Sequence, residues 1–278
     1  MGSRIPRLPA HPAGTDPASA ILGRMIPVGS HPALHPLFES LAYASGYAIF
    51  RWQRSRRGDV IDEPQRWTLI AAAAVGAMLG SRLLGLTEQW PAALAAMRAG
   101  HFLAFIITPG GKTIVGGLLG GWLGVELAKR SIGVRTRTGD LFVAPLCVGI
   151  AVGRIGCFLA GLADDTYGKP ATVPWAVDFG DHIARHPVQL YEIAYLSLLL
   201  VVTAAVPAGF REGSRFRIFM AAYLAWRLGI DFLKPQPLIL GMNLIQWACV
   251  AGLCILGILE WLAMRSSARK LTAHASIA

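Results

Sequence analysis

The stretch LFVAPLCVGIAVGRIGCFL, residues 141–159, carries one charged side chain, Arg154, in an otherwise apolar run. As a helix it would extend roughly 28 Å, close to the hydrocarbon thickness of a bilayer. Such a run reads as a membrane helix, and an arginine kept inside it reads as functional by default. Working outward, further apolar runs fall at about 34–50, 67–86, 114–128, 188–206, 216–233 and 240–264. The predicted fold is therefore an all-α, polytopic membrane helix bundle of about seven transmembrane helices, with a small extracytoplasmic loop region. Residues 92–107 are expected to form an additional half-buried or interfacial helix. Residues 1–30, rich in Pro, Ala and Gly, read as a disordered or interfacial tail. Residues 31–265 read as one membrane domain, and 266–278 as a cytoplasmic tail.

Composition agrees. Of the 278 residues 54% are hydrophobic and 15% charged, where soluble domains carry about a quarter charged residues. A net charge of +10 invites a nucleic-acid reading. Clustering argues against it. Arg51, Arg54, Arg56, Arg57 and Arg66 form one group, and Lys129, Arg130, Arg135 and Arg137 a second. Arg211, Arg215 and Arg217 form a third, and Arg265, Arg269 and Lys270 a fourth. Each lies between or just after apolar runs, as cytoplasmic loops do. The partner these charges imply is the lipid bilayer, through its anionic leaflet. Holding all four groups inside puts the N-terminus outside and the C-terminus inside, which needs an odd number of spans.

The cysteines, Cys147, Cys157, Cys249 and Cys254, sit in apolar runs without C-x-x-C or Cys/His ligand spacing. Neither a metal centre nor a disulfide framework is expected, and all but Cys157 read as buried apolar residues. Small residues recur at four-residue spacing, at Gly76/Gly80, Gly116/Gly120, Gly120/Gly124 and Gly149/Gly153. That spacing lets helices pack closely in lipid.

In this topology the polar residues of the spans share one depth. Glu39, Tyr43, Arg82, Arg154, Glu192, Arg227, Asp231, Asn243 and Gln246 all fall within about eight residues, roughly 12 Å, of the outer boundary. An ion-pair network that only braces the bundle is one reading. A polar cavity open to the outer leaflet, able to hold an anionic headgroup between arginines, is the favoured one. Glu126 reads as a structural partner of Lys129 or Arg130. His35, near the tail, is assigned no role.

The segment Gly153-Arg154-Ile155-Gly156-Cys157-Phe158, with Trp175-Ala176-Val177-Asp178-Phe179, resembles the signature of bacterial prolipoprotein diacylglyceryl transferases. So does Arg185-His186-Pro187-Val188-Gln189-Leu190-Tyr191-Glu192, and the glycines around Gly116 and Gly117 and the pair Arg227 and Asp231 follow in the family's order. The resemblance covers about residues 32–261. It implies a metal-independent, cofactor-free enzyme of the bacterial cytoplasmic (inner) membrane. Its substrates would be phosphatidylglycerol and a lipobox-containing prolipoprotein, whose cysteine thiol takes the diacylglyceryl group as glycerol phosphate leaves. Arg154 and Arg227 match the family's essential arginines. Arg82, Gly116, Gly117, Cys157, Gly168, Gln189, Tyr191, Glu192 and Asp231 are the expected substrate-binding residues.

Three positions depart from the family's pattern. Val115 stands where the family carries a His, Cys157 where it carries an Asn, and Glu39 where a Tyr is expected. The role of base for the thiol then falls to Glu39, to His186, or to a thiol whose ionisation the arginines favour. A catalytically changed member that binds phosphatidylglycerol or modifies a different acceptor is the alternative.

Overall fold

Each of the seven apolar runs becomes a helix in the computed structural model, which describes residues 31–88, 90–101, 111–207, 212–236 and 238–275. The helices are α1 (Leu34–Arg57), α2 (Glu63–Glu88), α3 (Trp90–Arg98), α4 (Ile114–Ser131), α5 (Val143–Ala160), α6 (Val188–Ala205), α7 (Ser214–Ile230) and α8 (Leu244–Ala275). The short α3 answers to part of the additional helix expected over 92–107; residues 99–101 leave it in a turn, and 102–107 lie outside the described residues. So does the tail 1–30. α8 continues to Ala275, so helix reaches well into the segment read as a C-terminal tail.

Four of these helical stretches are long and apolar enough to cross a membrane: Glu63–Thr87, Asp140–Asp164, Val188–Ala205 and Leu244–Arg265. The others fall short for a physical reason. α1 carries Glu39 and ends in a basic turn, and α4 holds Glu126, Lys129 and Arg130 in 18 residues. α7 has Arg215, Arg217 and Arg227 in 17 residues.

Glycine sets the helix seams. On α2 and α4, Gly76 and Gly80 face Gly116, Gly120 and Gly124, and a Cβ on Gly120 would lie 2.9 Å from Gly80 Cα. Backbone therefore meets backbone, the arrangement the four-residue spacing predicted. A second seam joins α1 to α5, where a Cβ on Gly156 would come within 2.6 Å of Phe38 Cβ. Between the seams lies an apolar core built on Val115, Leu196, Phe219, Leu224 and Cys249. Cys147 and Cys249 are buried as expected, whereas Cys254 is exposed on the outer face of α8.

The connections sort to two ends. At one, Arg66 pairs with Asp59 and donates to the Thr138 carbonyl at 3.2 Å. Asp140 there accepts from the backbone of Gly213 and Phe216, each at 2.9 Å, and Glu260 takes both Arg137 and Arg217. Lys129 meets Glu126 at 3.0 Å, the structural pair expected. Basic side chains from the first three clusters thus share one face. At the other end the 165–187 connection forms a small head with a two-stranded hairpin, β1 (Val177–Asp178) against β2 (Ala184–Arg185). Asp178 Oδ1 closes its turn by accepting from the N–H groups of Gly180, Asp181 and His182. Arg185, buried, binds Asp181 at 2.5 Å and lies 5.0 Å over the Tyr167 ring. That hydrogen bond holds the Asp181 carboxyl below the usual carboxylate range.

Candidate active site

Just inside the head, helices of opposite direction bring charged groups to one level. Glu192 sits one turn into α6, three residues beyond Gln189, and Arg154 one turn and a half before the end of α5. Their side chains meet at 2.9 Å, with both almost fully buried. Tyr223 and Arg227 on α7, and Asp231 in the 3-10 turn that continues it, recur every four residues and so occupy one face. Tyr223 donates to Glu192 at 2.5 Å, Arg227 reaches Glu192 at 3.4 Å, and Asp231 holds Arg227 at 2.8 Å. Lys234, just beyond the apolar run, lies 3.6 Å from Asp231. Burial, with Arg227 nearby, pulls this lysine down to about 8.

Three cations, Arg154, Arg227 and Lys234, thus face two carboxylates, Glu192 and Asp231. The cluster is one positive charge in excess, and buried charge is costly unless compensated. Arg227 Nε is buried and makes no hydrogen bond among the described residues, whereas Arg154 Nε is taken up by its ion pair with Glu192. Excess positive charge on two neighbouring guanidinium groups fits an anion that can accept from both, such as a phosphodiester.

Around this cluster the remaining residues divide. Cys157 Sγ lies 3.8 Å from Arg154 Nη1. Gln189 donates to Thr166 at 3.3 Å and keeps its own buried carbonyl oxygen without a hydrogen-bond partner among the described residues. His186 meets the Tyr191 hydroxyl at 3.1 Å, to which Trp175 donates at 2.6 Å. These three form a polar aromatic group in the head. Arg82 is half-buried on α2.

Glu39 stands apart from the buried cluster. Its side chain is 36% exposed and pairs with Lys112 at 3.0 Å, with Tyr43 at 3.5 Å, so it is a rim carboxylate rather than a buried one. Gly116 belongs to the α2/α4 seam, and a Cβ on Gly168 would strike the His186 carbonyl oxygen at 2.6 Å. Close packing accounts for both glycines, and Gly117 has more room, with Ser81 Cβ at 3.8 Å. Asn243 and Gln246 exchange backbone and side-chain hydrogen bonds at 2.8 Å, a capping box that starts α8. Their shared depth with the arginines comes from where that helix begins. Val115 is fully buried in the apolar core.

Sequence reasoning missed Lys234, Tyr223, Asp164 and His35. The first two left a signal, since Tyr223 precedes Arg227 by four residues and Lys234 follows Asp231 by three, both same-face spacings. His35 Nδ1 and Asp164 Oδ1 approach to 2.7 Å although 129 positions separate them. With Cys157 they put three potential ligand atoms within 4.8 Å of one another.

Comparison with known proteins bears on this arrangement. The profile of the family described as prolipoprotein diacylglyceryl transferase matches residues 34–263. A protein of Bordetella avium named phosphatidylglycerol–prolipoprotein diacylglyceryl transferase is 30% identical over 251 residues, covering 84% of this chain and 88% of its own. One of the same name from Aromatoleum aromaticum is 30% identical over 256 residues, 80% of this chain and 94% of its own. Another, from Methylocella silvestris, is 34% identical over 191 residues, 67% of this chain and 60% of its own.

Proposed function

The chain belongs to the prolipoprotein diacylglyceryl transferase family, and on that footing we propose that it transfers the diacylglyceryl group of phosphatidylglycerol to the thiol of a lipobox cysteine. The supporting observation is the buried cluster of Arg154, Arg227 and Lys234 against Glu192 and Asp231, with its one excess positive charge. A phosphodiester carries one negative charge and completes that balance.

In this reading Arg154 and Arg227 grip the phosphate. As the glyceryl carbon–oxygen bond breaks, the departing phosphate gains charge, and preorganised guanidinium donors stabilise that gain more than they stabilise the bound diester. Glu192 and Tyr223 hold the two arginines at fixed spacing, and Asp231 positions Arg227 from behind. Cys157, Gln189 and Tyr191 line the approach of the acceptor. Glu39 and His186, the bases expected from the sequence, stand at the rim beside Lys112 and next to Tyr191.

The chain would lie in the bacterial inner membrane with about seven spans, the N-terminus outside and the C-terminus inside. The basic loops would face the cytoplasm and the hairpin head the outside. Val115 favours a second reading, phosphatidylglycerol binding without transfer, because the family's His position is here part of the apolar core. Purified protein given acyl-labelled phosphatidylglycerol and a lipobox peptide separates the two. Label on the peptide thiol is the expected result. Saturable lipid binding without labelled peptide would replace it with the second reading.

A further inference from the structure

We propose that His35, oriented by Asp164, is the base that takes the proton from the acceptor thiol. The inference rests on the transfer reaction above and assigns it a residue that neither sequence motifs nor the family's signature singled out.

The pair is assembled by the fold. His35 lies in the first turn of α1 and Asp164 in the 3-10 turn Gly161–Asp164 that follows α5. They meet because α1 crosses α5 at Gly156, where no side chain intervenes. A Cβ there would lie 2.6 Å from Phe38 Cβ and 3.5 Å from the His35 carbonyl oxygen. The meeting point is two residues beyond Arg154, and Cys157 joins the two sites, 3.8 Å from Arg154 and in the same 4.8 Å group as His35 and Asp164.

The polarity of the pair suits proton transfer. Asp164 is the inner member, its side chain 7% exposed, and His35 the outer one, 36% exposed. Asp164 Oδ1 takes His35 Nδ1 at 2.7 Å while Oδ2 accepts from the Thr166 hydroxyl at 2.5 Å, so both carboxylate oxygens are fixed. With Nδ1 as donor to Asp164, the imidazole presents Nε2 as the acceptor, and among the described residues nothing hydrogen-bonds that nitrogen. A carboxylate that fixes the tautomer and stabilises the imidazolium is the orienting device of nucleophile–base–acid sites.

A metal ion is the other chemistry these three side chains suggest, and geometry disfavours it. At 2.7 Å, His35 and Asp164 already touch, leaving no space for an ion between them. The Arg154 guanidinium beside the Cys157 sulfur would also repel a cation.

The step balances simply. The acceptor thiol gives its proton to His35 Nε2, and its sulfur forms a bond to the terminal glyceryl carbon as that carbon's bond to the phosphate oxygen breaks. Glycerol phosphate leaves with the bonding pair, and the imidazolium returns the proton to it.

The test uses the full chain in phosphatidylglycerol-containing vesicles with two peptides, one bearing the lipobox cysteine and one selenocysteine, which ionises at neutral pH without help. His35→Gln should lower kcat with the thiol peptide about a hundredfold or more, with KM for the lipid little changed. The selenol peptide should restore at least a tenth of the wild-type rate. Asp164→Asn, which preserves side-chain volume, should show the same pattern and covers the case of a poorly folding His35 variant. Equal losses with both peptides, or unaffected transfer by both variants, would overturn the assignment while the transferase reading stands. Loss of lipid binding would overturn it too, by moving the pair into the anion site. An inert wild type would remove the parent reading and this one with it.

Discussion

Glu192→Gln tests whether the buried cluster is balanced for an anion. Glu192 is 3% exposed and is shared by Arg154, Arg227 and Tyr223. Glutamine keeps the shape and removes the charge, so the excess rises from one positive charge to two. Removing one partner of a buried ion pair costs roughly 3–5 kcal/mol, because the remaining charge stays buried and uncompensated. At roughly 2–4 °C per kcal/mol for a chain of this size, the apparent Tm should fall by about 6–20 °C. The direction of lipid rescue is the sharper signal. Phosphatidylglycerol supplies the missing negative charge, so adding it to detergent-solubilised protein should raise the Tm of the variant more than that of wild type. Phosphatidylcholine, with no net charge, should raise both alike. A variant that melts with wild type, or that gains no more from phosphatidylglycerol than wild type does, would refute the charge-balance argument.

Other consequences are simpler to check. Arg154→Lys and Arg227→Lys should each lower transfer about a hundredfold or more, since an ammonium cannot make a guanidinium's two-pronged contact with a phosphate in transition; the labelled-lipid assay reads this directly. Lys234 is charged below about 8 and neutral above it, and a bound anion favours the charged form. Phosphatidylglycerol affinity should therefore fall by up to about tenfold between pH 7 and pH 9 by proton linkage, and Lys234→Arg should flatten that profile in equilibrium binding. Gly80→Val should prevent α2 from seating on α4, because a Cβ there meets Gly120 Cα at 2.9 Å and cannot be relieved by a side-chain rotation; loss of folded protein in detergent is the expected outcome, and a wild-type melting curve the contrary one.

The fold was legible because lipid simplifies the code. A span must satisfy its backbone internally and cover itself with apolar side chains, so the four helices long and apolar enough to cross a membrane each left a run in the sequence. Close packing also left its mark, as the spaced glycines around Gly76 and Gly120 became the α2/α4 seam. Capping was less visible. Asn243 and Gln246 looked like part of the polar layer, but a helix start also calls for polar side chains, and depth alone does not distinguish the two uses.

The site was legible in proportion to how much of it lay on single helices. Arg227 and Asp231 announced their pairing by spacing, and Arg154 by its isolation in an apolar run. Contacts between helices carried no such mark. Glu39 was placed in the polar layer by its position in an apolar run, yet its side chain pairs with Lys112, 73 residues away and just before α4, which the run does not encode. For His35 and Asp164 the decisive residue is Gly156, whose missing side chain lets α1 lie against α5. A glycine in a motif is readily taken as part of the motif's chemistry. Here it acts one step earlier, by bringing a histidine from the far end of the chain beside the carboxylate that orients it.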